Sequence, residues 1–128
     1  MSGETILVVE DNAPSRKLLR DVLGHHGYQV HEAVSGEEAL VLAGRVAPQL
    51  VIMDIELPGI DGVEALHRLR HAPPTRTIPV LAVTASVMGA QIGRIRNAGF
   101  DAHLQKPLAL KELLAAVEAL LDRAMPAS

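Results

Sequence analysis

Glu10, Asp11, Asp54, Thr84 and Lys106 are the side chains whose types and placement could do chemistry together. Asp54 closes the wholly apolar run LVIMD (Leu50–Asp54), and Glu10–Asp11 closes a second one, ILVVED. Thr84 ends a third, VLAVT, and Lys106 follows the segment AHLQ. A polar residue ending such a run sits where a buried parallel strand surfaces. Two unit charges about 4 Å apart repel by about 4 kcal/mol at an effective dielectric of about 20, so Glu10, Asp11 and Asp54 packed together must hold protons or recruit a cation. With oxygen donors and no cysteine, a hard cation fits best, and Mg²⁺ is commonly held through one or two carboxylates plus phosphate oxygens. Lys106 offers a flexible positive charge for a phosphate oxygen, and Thr84 offers a hydroxyl donor. In such a site a carboxylate can act as a nucleophile and form an acyl phosphate.

Positioning these groups takes strands that end on one edge, and the chain alternates apolar runs with segments of helical period. Ile6–Val9 is apolar at every residue, as a strand covered on both faces is. Asn12 or Ala13 then leads into Pro14, suited to a first helical position, and Leu18, Leu19, Val22 and Leu23 share one helical face until Gly27. Tyr28–Val34 alternates apolar and polar residues and reads as an edge strand. Ser35 caps a second helix with Glu38 completing a capping box, and Ala39, Leu40, Leu42, Ala43 and Val46 form its apolar side. After the Leu50–Asp54 strand, Asp61 caps a third helix carrying Val63, Leu66 and Leu69, which Pro73 and Pro74 bring to an end by His71. Val80–Thr84 is the fourth strand. Val87–Ala98 reads as a helix weakened by Gly89 and Gly93, each costing about 1 kcal/mol relative to alanine. Asp101–Gln105 is a short strand, and Leu110, Leu113, Leu114, Val117, Leu120 and Leu121 make the last helix strongly amphipathic. The sum is an α/β chain of (βα)5 form with a doubly wound parallel sheet, whose ligands bind outside the carboxyl ends of the strands.

Composition narrows the function. The 128 residues suffice for one domain with a single substantial core, and 48% of them are apolar. Net charge is −3 without a basic run, which argues against nucleic acid as a partner. The absence of cysteine excludes a disulfide framework, a thiol nucleophile and a cysteine-based zinc site. No apolar stretch approaches the roughly 18 residues of a membrane span, and no signal peptide is evident, so a cytoplasmic location is expected. His25 and His26, near a helix end, fit stabilisation of its negative pole. HRLRH (His67–His71) reads as a solvated basic face.

Four strings in order, VVEDN (Val8–Asn12), MDIELPGIDG (Met53–Gly62), TAS (Thr84–Ser86) and AGFDAHLQKP (Ala98–Pro107), make the chain resemble the receiver domain of bacterial two-component response regulators. The likeness runs from about Thr5 to Arg123 and implies that residues 1–128 are a single receiver with a flavodoxin-like five-stranded sheet of order 2-1-3-4-5. By position, it implies that Asp54 accepts the phosphoryl group. Asp11 and Asp54 become carboxylate ligands of Mg²⁺, with the backbone carbonyl of Glu56 as a further ligand and Glu10 acting through a metal-bound water. Thr84 becomes the hydroxyl that moves to the phosphoryl group, Lys106 the cation that pairs with it, and Ala85 the small residue that leaves access open. The bond from Lys106 to Pro107 corresponds to one usually cis. His103 stands where receivers usually carry the Tyr or Phe that turns inward when the threonine moves. Glu56 and Ser86 flank the approach of water.

The resemblance also implies partners: a histidine kinase or histidine phosphotransfer protein upstream, and a downstream protein met by the fourth helix, fifth strand and fifth helix. The chain would be a monomer or weak dimer and a phosphoacceptor rather than an enzyme, similar to the single-domain regulators of developmental phosphorelays. Two alternatives stand beside this reading. One is a receiver excised from a hybrid histidine kinase or longer regulator; the other is a small phosphatase with an aspartyl-phosphate intermediate, which would need a substrate-holding cap.

Overall fold

In the computed structural model, which describes residues 3–85 and 89–124, the apolar runs become five strands and the amphipathic segments five helices. The strands are β1 (Thr5–Val9), β2 (Gln29–Ala33), β3 (Leu50–Asp54), β4 (Val80–Thr84) and β5 (Ala102–Gln105). The helices are α1 (Ala13–His25), α2 (Gly36–Val46), α3 (Gly62–His71), α4 (Gly89–Ala98) and α5 (Leu110–Ala124), with a short 3₁₀ turn at Pro73–Thr75. All pairings are parallel and the sheet order is β2-β1-β3-β4-β5. This is the doubly wound arrangement the alternating pattern predicts, in the flavodoxin-like strand order the resemblance implies.

The period of two along a strand divides the central strands between two cores. Leu7, Val9, Val51, Met53 and Val80 face α2 and α3, meeting Ala39, Ala43, Ala65, Leu66 and Leu69. Ile6, Val8, Leu50, Ile52, Leu81 and Val83 face the other way, packing with Leu19 and Leu23 of α1 and Leu113, Val117, Leu120 and Leu121 of α5. Edge strands β2 and β5 alternate between more and less exposed positions, as covering on one face requires. Helix α4 is the least anchored, with Ile95 its only buried residue. Among the described residues, no helix is long and apolar enough to cross a membrane.

Side-chain caps set the helix starts. Asn12 accepts from the Ser15 N–H at 2.9 Å, Ser35 from the Glu38 N–H at 3.1 Å and Asp61 from the Glu64 N–H at 2.9 Å. Gly27, at φ +91°, follows the end of α1 in the left-handed region, which glycine adopts without penalty. His26 Nδ1 lies 3.0 Å from the Val22 carbonyl, in line with a histidine serving the helix's negative end.

Several expectations need correction. The Glu38 carboxylate accepts from the Val34 N–H at 2.7 Å rather than from the cap residue, so the box closes one residue early. Leu18 and Leu110 are 49% and 46% exposed. Leu18 stands about 100° round the helix from Leu19, off the sheet-facing line of Leu19 and Leu23. It borders an open groove of about 420 Å³ lined also by Glu10, Ser15, Leu19, Lys106, Pro107 and Leu108. Strand β5 begins at Ala102 rather than at Asp101, whose carboxylate accepts from the Val80 N–H at 2.8 Å and from Arg70 at 3.0 Å. The expected start of the fourth helix at Val87, and Ser86 as a residue flanking water's approach, lie outside the described residues.

Candidate functional site

Strand register delivers the site. Met53 is in register with Val9, so Glu10 emerges beside Asp54. Asp54 is in register with Val83, which places Thr84 one residue further along β4. Thr84 in turn pairs with Gln105, and Lys106 follows, its N–H donating to the Thr84 carbonyl at 2.8 Å. Five residues separated by up to 96 positions thus meet at the carboxyl edge of the sheet. The peptide bond between Lys106 and Pro107 is cis, as the resemblance implies.

Asp54 is held from two sides. The Glu56 N–H donates to its Oδ1 at 3.0 Å, and Lys106 Nζ donates to its Oδ2 at 3.1 Å. The same ammonium donates to Glu10 Oε1 at 2.8 Å, while the Asn12 N–H takes Glu10 Oε2 at 3.1 Å. Asp54 and Glu10 are buried, at 4% and 2% exposure, whereas Asp11 lies open to solvent. Arg16 donates to the Glu10 carbonyl at 2.9 Å and pairs with Glu32, tying the β1–α1 junction to β2.

Burial, and then contact with Glu10, pushes the Asp54 carboxyl up to about 7 against the opposing Glu56 N–H and Lys106. Glu10 goes the other way. Burial works against its anion, but hydrogen bonds from Asp54, Lys106 and the Asn12 N–H outweigh burial and hold it below the ordinary range. Burial likewise disfavours the Lys106 cation, and its two carboxylate partners overcome that and raise it. Without a further cation, the buried pair therefore holds a proton to well above the ordinary carboxylate range.

The donor set fits a hard divalent ion. Glu10, Asp11 and Asp54 each present a carboxylate oxygen, all within 4.8 Å of one another. Three carboxylates face one ammonium, so negative charge is in excess, and hard oxygen donors of this kind suit Mg²⁺. Thr84 stands beside this cluster with its hydroxyl on Glu56, and the other strand-end residues read from the sequence, Glu10, Asp11, Asp54 and Lys106, join it. His103 does not: it lies exposed on edge strand β5, in register with Ala82. The sequence reading puts Glu56 beside the approach of water but misses what its carboxylate holds: it accepts from Thr84 Oγ at 2.9 Å and from the Ala85 N–H at 3.0 Å. It also missed the pairing of Arg94 with Asp61 at 2.7 Å, which links α4 to the cap of α3. No spacing rule pairs residues 28 or 33 positions apart.

A doubly wound sheet with an acidic cluster, a threonine and a lysine at its carboxyl edge suits a divalent cation and a phosphoryl group. The family described as response regulator receiver domain matches residues 6–118, and the chain belongs to it. It is 37% identical over 121 residues to the polar-differentiation response regulator DivK of Brucella ovis, covering 94% of this chain and 98% of that one. Among solved structures, it resembles a putative response regulator from Chloroflexus aurantiacus, with TM-score 0.90 and 37% identity over 95% of this chain and all of the other. The receiver domain of the sensor histidine kinase PA1611 from Pseudomonas aeruginosa, solved with a magnesium ion in its active-site cleft, aligns with TM-score 0.88 and 29% identity, covering 94% of this chain and 99% of that one.

Proposed function

We propose that Asp54 is the residue of this receiver that accepts the phosphoryl group, within a single receiver domain spanning residues 1–128. The observation that carries the reading is the hold on Asp54. One oxygen is fixed by a backbone N–H and the other by Lys106, beside two further carboxylates that can share a cation. Asp11 and Asp54 would hold Mg²⁺ through their carboxylates, with the Glu56 carbonyl as a third ligand and Glu10 acting through water. When bound, the ion neutralises the cluster and the transferring oxygens.

The chain's own residues perform the rest. A carboxylate oxygen of Asp54 attacks the phosphorus of a phosphohistidine in line; the new O–P bond forms as the P–N bond breaks, and the electron pair leaves with the imidazole. Lys106, already on Asp54, is placed to pair with a phosphoryl oxygen. The Thr84 hydroxyl turns toward the same group, and His103 on β5 follows it inward. Helix α4, with Ile95 its only buried residue and the Arg94–Asp61 pair its tie to α3, is the element best able to respond, so the face of α4, β5 and α5 is read by a downstream protein.

The donor is a histidine kinase or histidine phosphotransfer protein. The chain acts as a phosphoacceptor that assists its own phosphorylation and dephosphorylation rather than as a turnover enzyme. It works in the cytoplasm as a monomer or weak dimer, without nucleic acid or membrane as partner.

The test is chemical mapping. Incubation with Mg²⁺ and acetyl phosphate, followed by borohydride reduction and peptide sequencing, converts an aspartyl phosphate to homoserine. Homoserine is expected at position 54; homoserine at position 11, or at none, rejects the assignment.

A further inference from the structure

The Glu56 carboxylate plays no part in the chemistry above, which uses only the backbone of that residue. It nevertheless occupies the end of β4. Oε2 accepts from the Thr84 hydroxyl at 2.9 Å, and Oε1 accepts from the Ala85 N–H at 3.0 Å. Meanwhile the Glu56 N–H donates to Asp54 Oδ1 at 3.0 Å, so one residue touches both the proposed acceptor and the proposed switch. Thr84 is fully buried whereas Glu56 is exposed, so the carboxylate reaches in from the solvent side.

A phosphoryl group on Asp54 brings three acceptor oxygens and about two negative charges. It needs donors beyond Lys106, and the end of β4 offers the Thr84 hydroxyl and the Ala85 N–H. A hydroxyl carries one hydrogen and a backbone amide one, so neither serves two anions fully. Like charge adds to the conflict, because a carboxylate and a phosphoryl group disfavour one another at short range. An exposed glutamate released from these bonds is taken up by water at little cost.

The geometry points to Glu56 as an internal competitor of the phosphoryl group: its carboxylate holds, in the unphosphorylated protein, the two donors that phosphorylation of Asp54 recruits. The inference rests on the assignment of Asp54 as acceptor. It makes Glu56 a positioning residue that keeps Thr84 turned away from Asp54 and must swing out before the threonine turns. Since the two anions exclude each other, whatever releases Glu56 favours phosphorylation, and phosphorylation releases Glu56.

Glu56→Ala and Glu56→Gln test this, because both keep the backbone groups that meet Asp54 and the proposed metal. Two quantities are measured beside wild type: hydrogen exchange of the Ala85 amide without phosphodonor, and the initial rate of phosphoryl incorporation from acetyl phosphate with Mg²⁺. In Glu56→Ala, Ala85 exchange is expected to rise about tenfold, the scale of one lost charge-assisted hydrogen bond, and the initial rate to rise about threefold or more. Glu56→Gln should fall between, since its carbonyl accepts one bond and its amide NH₂ accepts none. Unchanged Ala85 exchange would show that the contact is absent in solution. Faster exchange with an unchanged or lower initial rate would show that Glu56 does not compete; either result overturns the proposal. No incorporation into wild type would remove the assignment of Asp54, which the Ala85 exchange by itself does not address, and the competitor role would go with it.

Discussion

Asp54→Asn makes the metal-free protein more stable at neutral pH, by on the order of 2 kcal/mol. The cause is a buried carboxylate whose charge is opposed by burial and by Glu10, which together push it up to about 7. In the unfolded chain the same group titrates at about 3.9. Between about pH 4 and 7 the folded state therefore holds a proton that the unfolded state has lost, and stability falls as pH rises through that window. Glu10 works in the opposite sense. Held low in the folded state, it contributes stability above the ordinary carboxylate range that is lost as pH falls through its folded value. Asparagine keeps an oxygen for the Glu56 N–H and carries no charge to be desolvated. Urea unfolding in EDTA should show an Asn-over-Asp advantage that grows from pH 5 to 7.5. Mg²⁺ should narrow it by stabilising wild type, by about 2.7 kcal/mol at a hundredfold excess over its dissociation constant. An advantage independent of pH would mean that Asp54 is not the group held up by its surroundings.

Gly62→Ala is the second large effect, in the destabilising direction. A Cβ at position 62 would lie 2.6 Å from the Asp54 carbonyl oxygen and 2.9 Å from Ile55 Cα. Both obstacles are backbone, so no side-chain rotation relieves them; either α3 lifts from β3 or the turn after Asp54 moves. The Gly62 N–H also donates to the Ile55 carbonyl at 3.1 Å, which holds the two segments in that close approach. The expected loss is about 3 kcal/mol in urea unfolding, at the upper end of overpacking. Phosphoryl incorporation should fall with it, because a shift of about 1 Å at a reacting group costs rate steeply. Gly93→Ala is the internal comparison. Nothing lies within 4 Å of its would-be Cβ, and it sits inside α4, so alanine should add up to about 1 kcal/mol. Equal effects at the two positions would show that helix propensity, not the contact with Asp54, governs Gly62.

Legibility in the sequence followed the range of the interaction that each feature depends on. Ile6–Val9, Leu50–Asp54 and Val80–Thr84 were readable because burial on both faces leaves an unbroken apolar run, and the caps Ser35 and Asp61 because a cap acts within three residues. Strand ends then locate Asp54, Glu10, Thr84 and Lys106 without further information. Leu18 and Leu110 were misread because helical period says which residues share a face, not how wide a stripe the neighbours cover. The contacts of the Asp101 carboxylate were not legible because its partners, Arg70 and the Val80 N–H, are 31 and 21 positions away. The resemblance places Glu56 beside the approach of water, but its grip on Thr84 is invisible in the sequence for the same reason: it exists only once β3 and β4 lie side by side.

The most direct test of the account is the intact mass of wild type and Asp54→Ala after incubation with acetyl phosphate, with Mg²⁺ or with EDTA. One added phosphoryl group is expected in wild type with Mg²⁺, little with EDTA, and none in Asp54→Ala under either condition. Equal phosphoryl incorporation into Asp54→Ala, or none into wild type with Mg²⁺, would contradict the account.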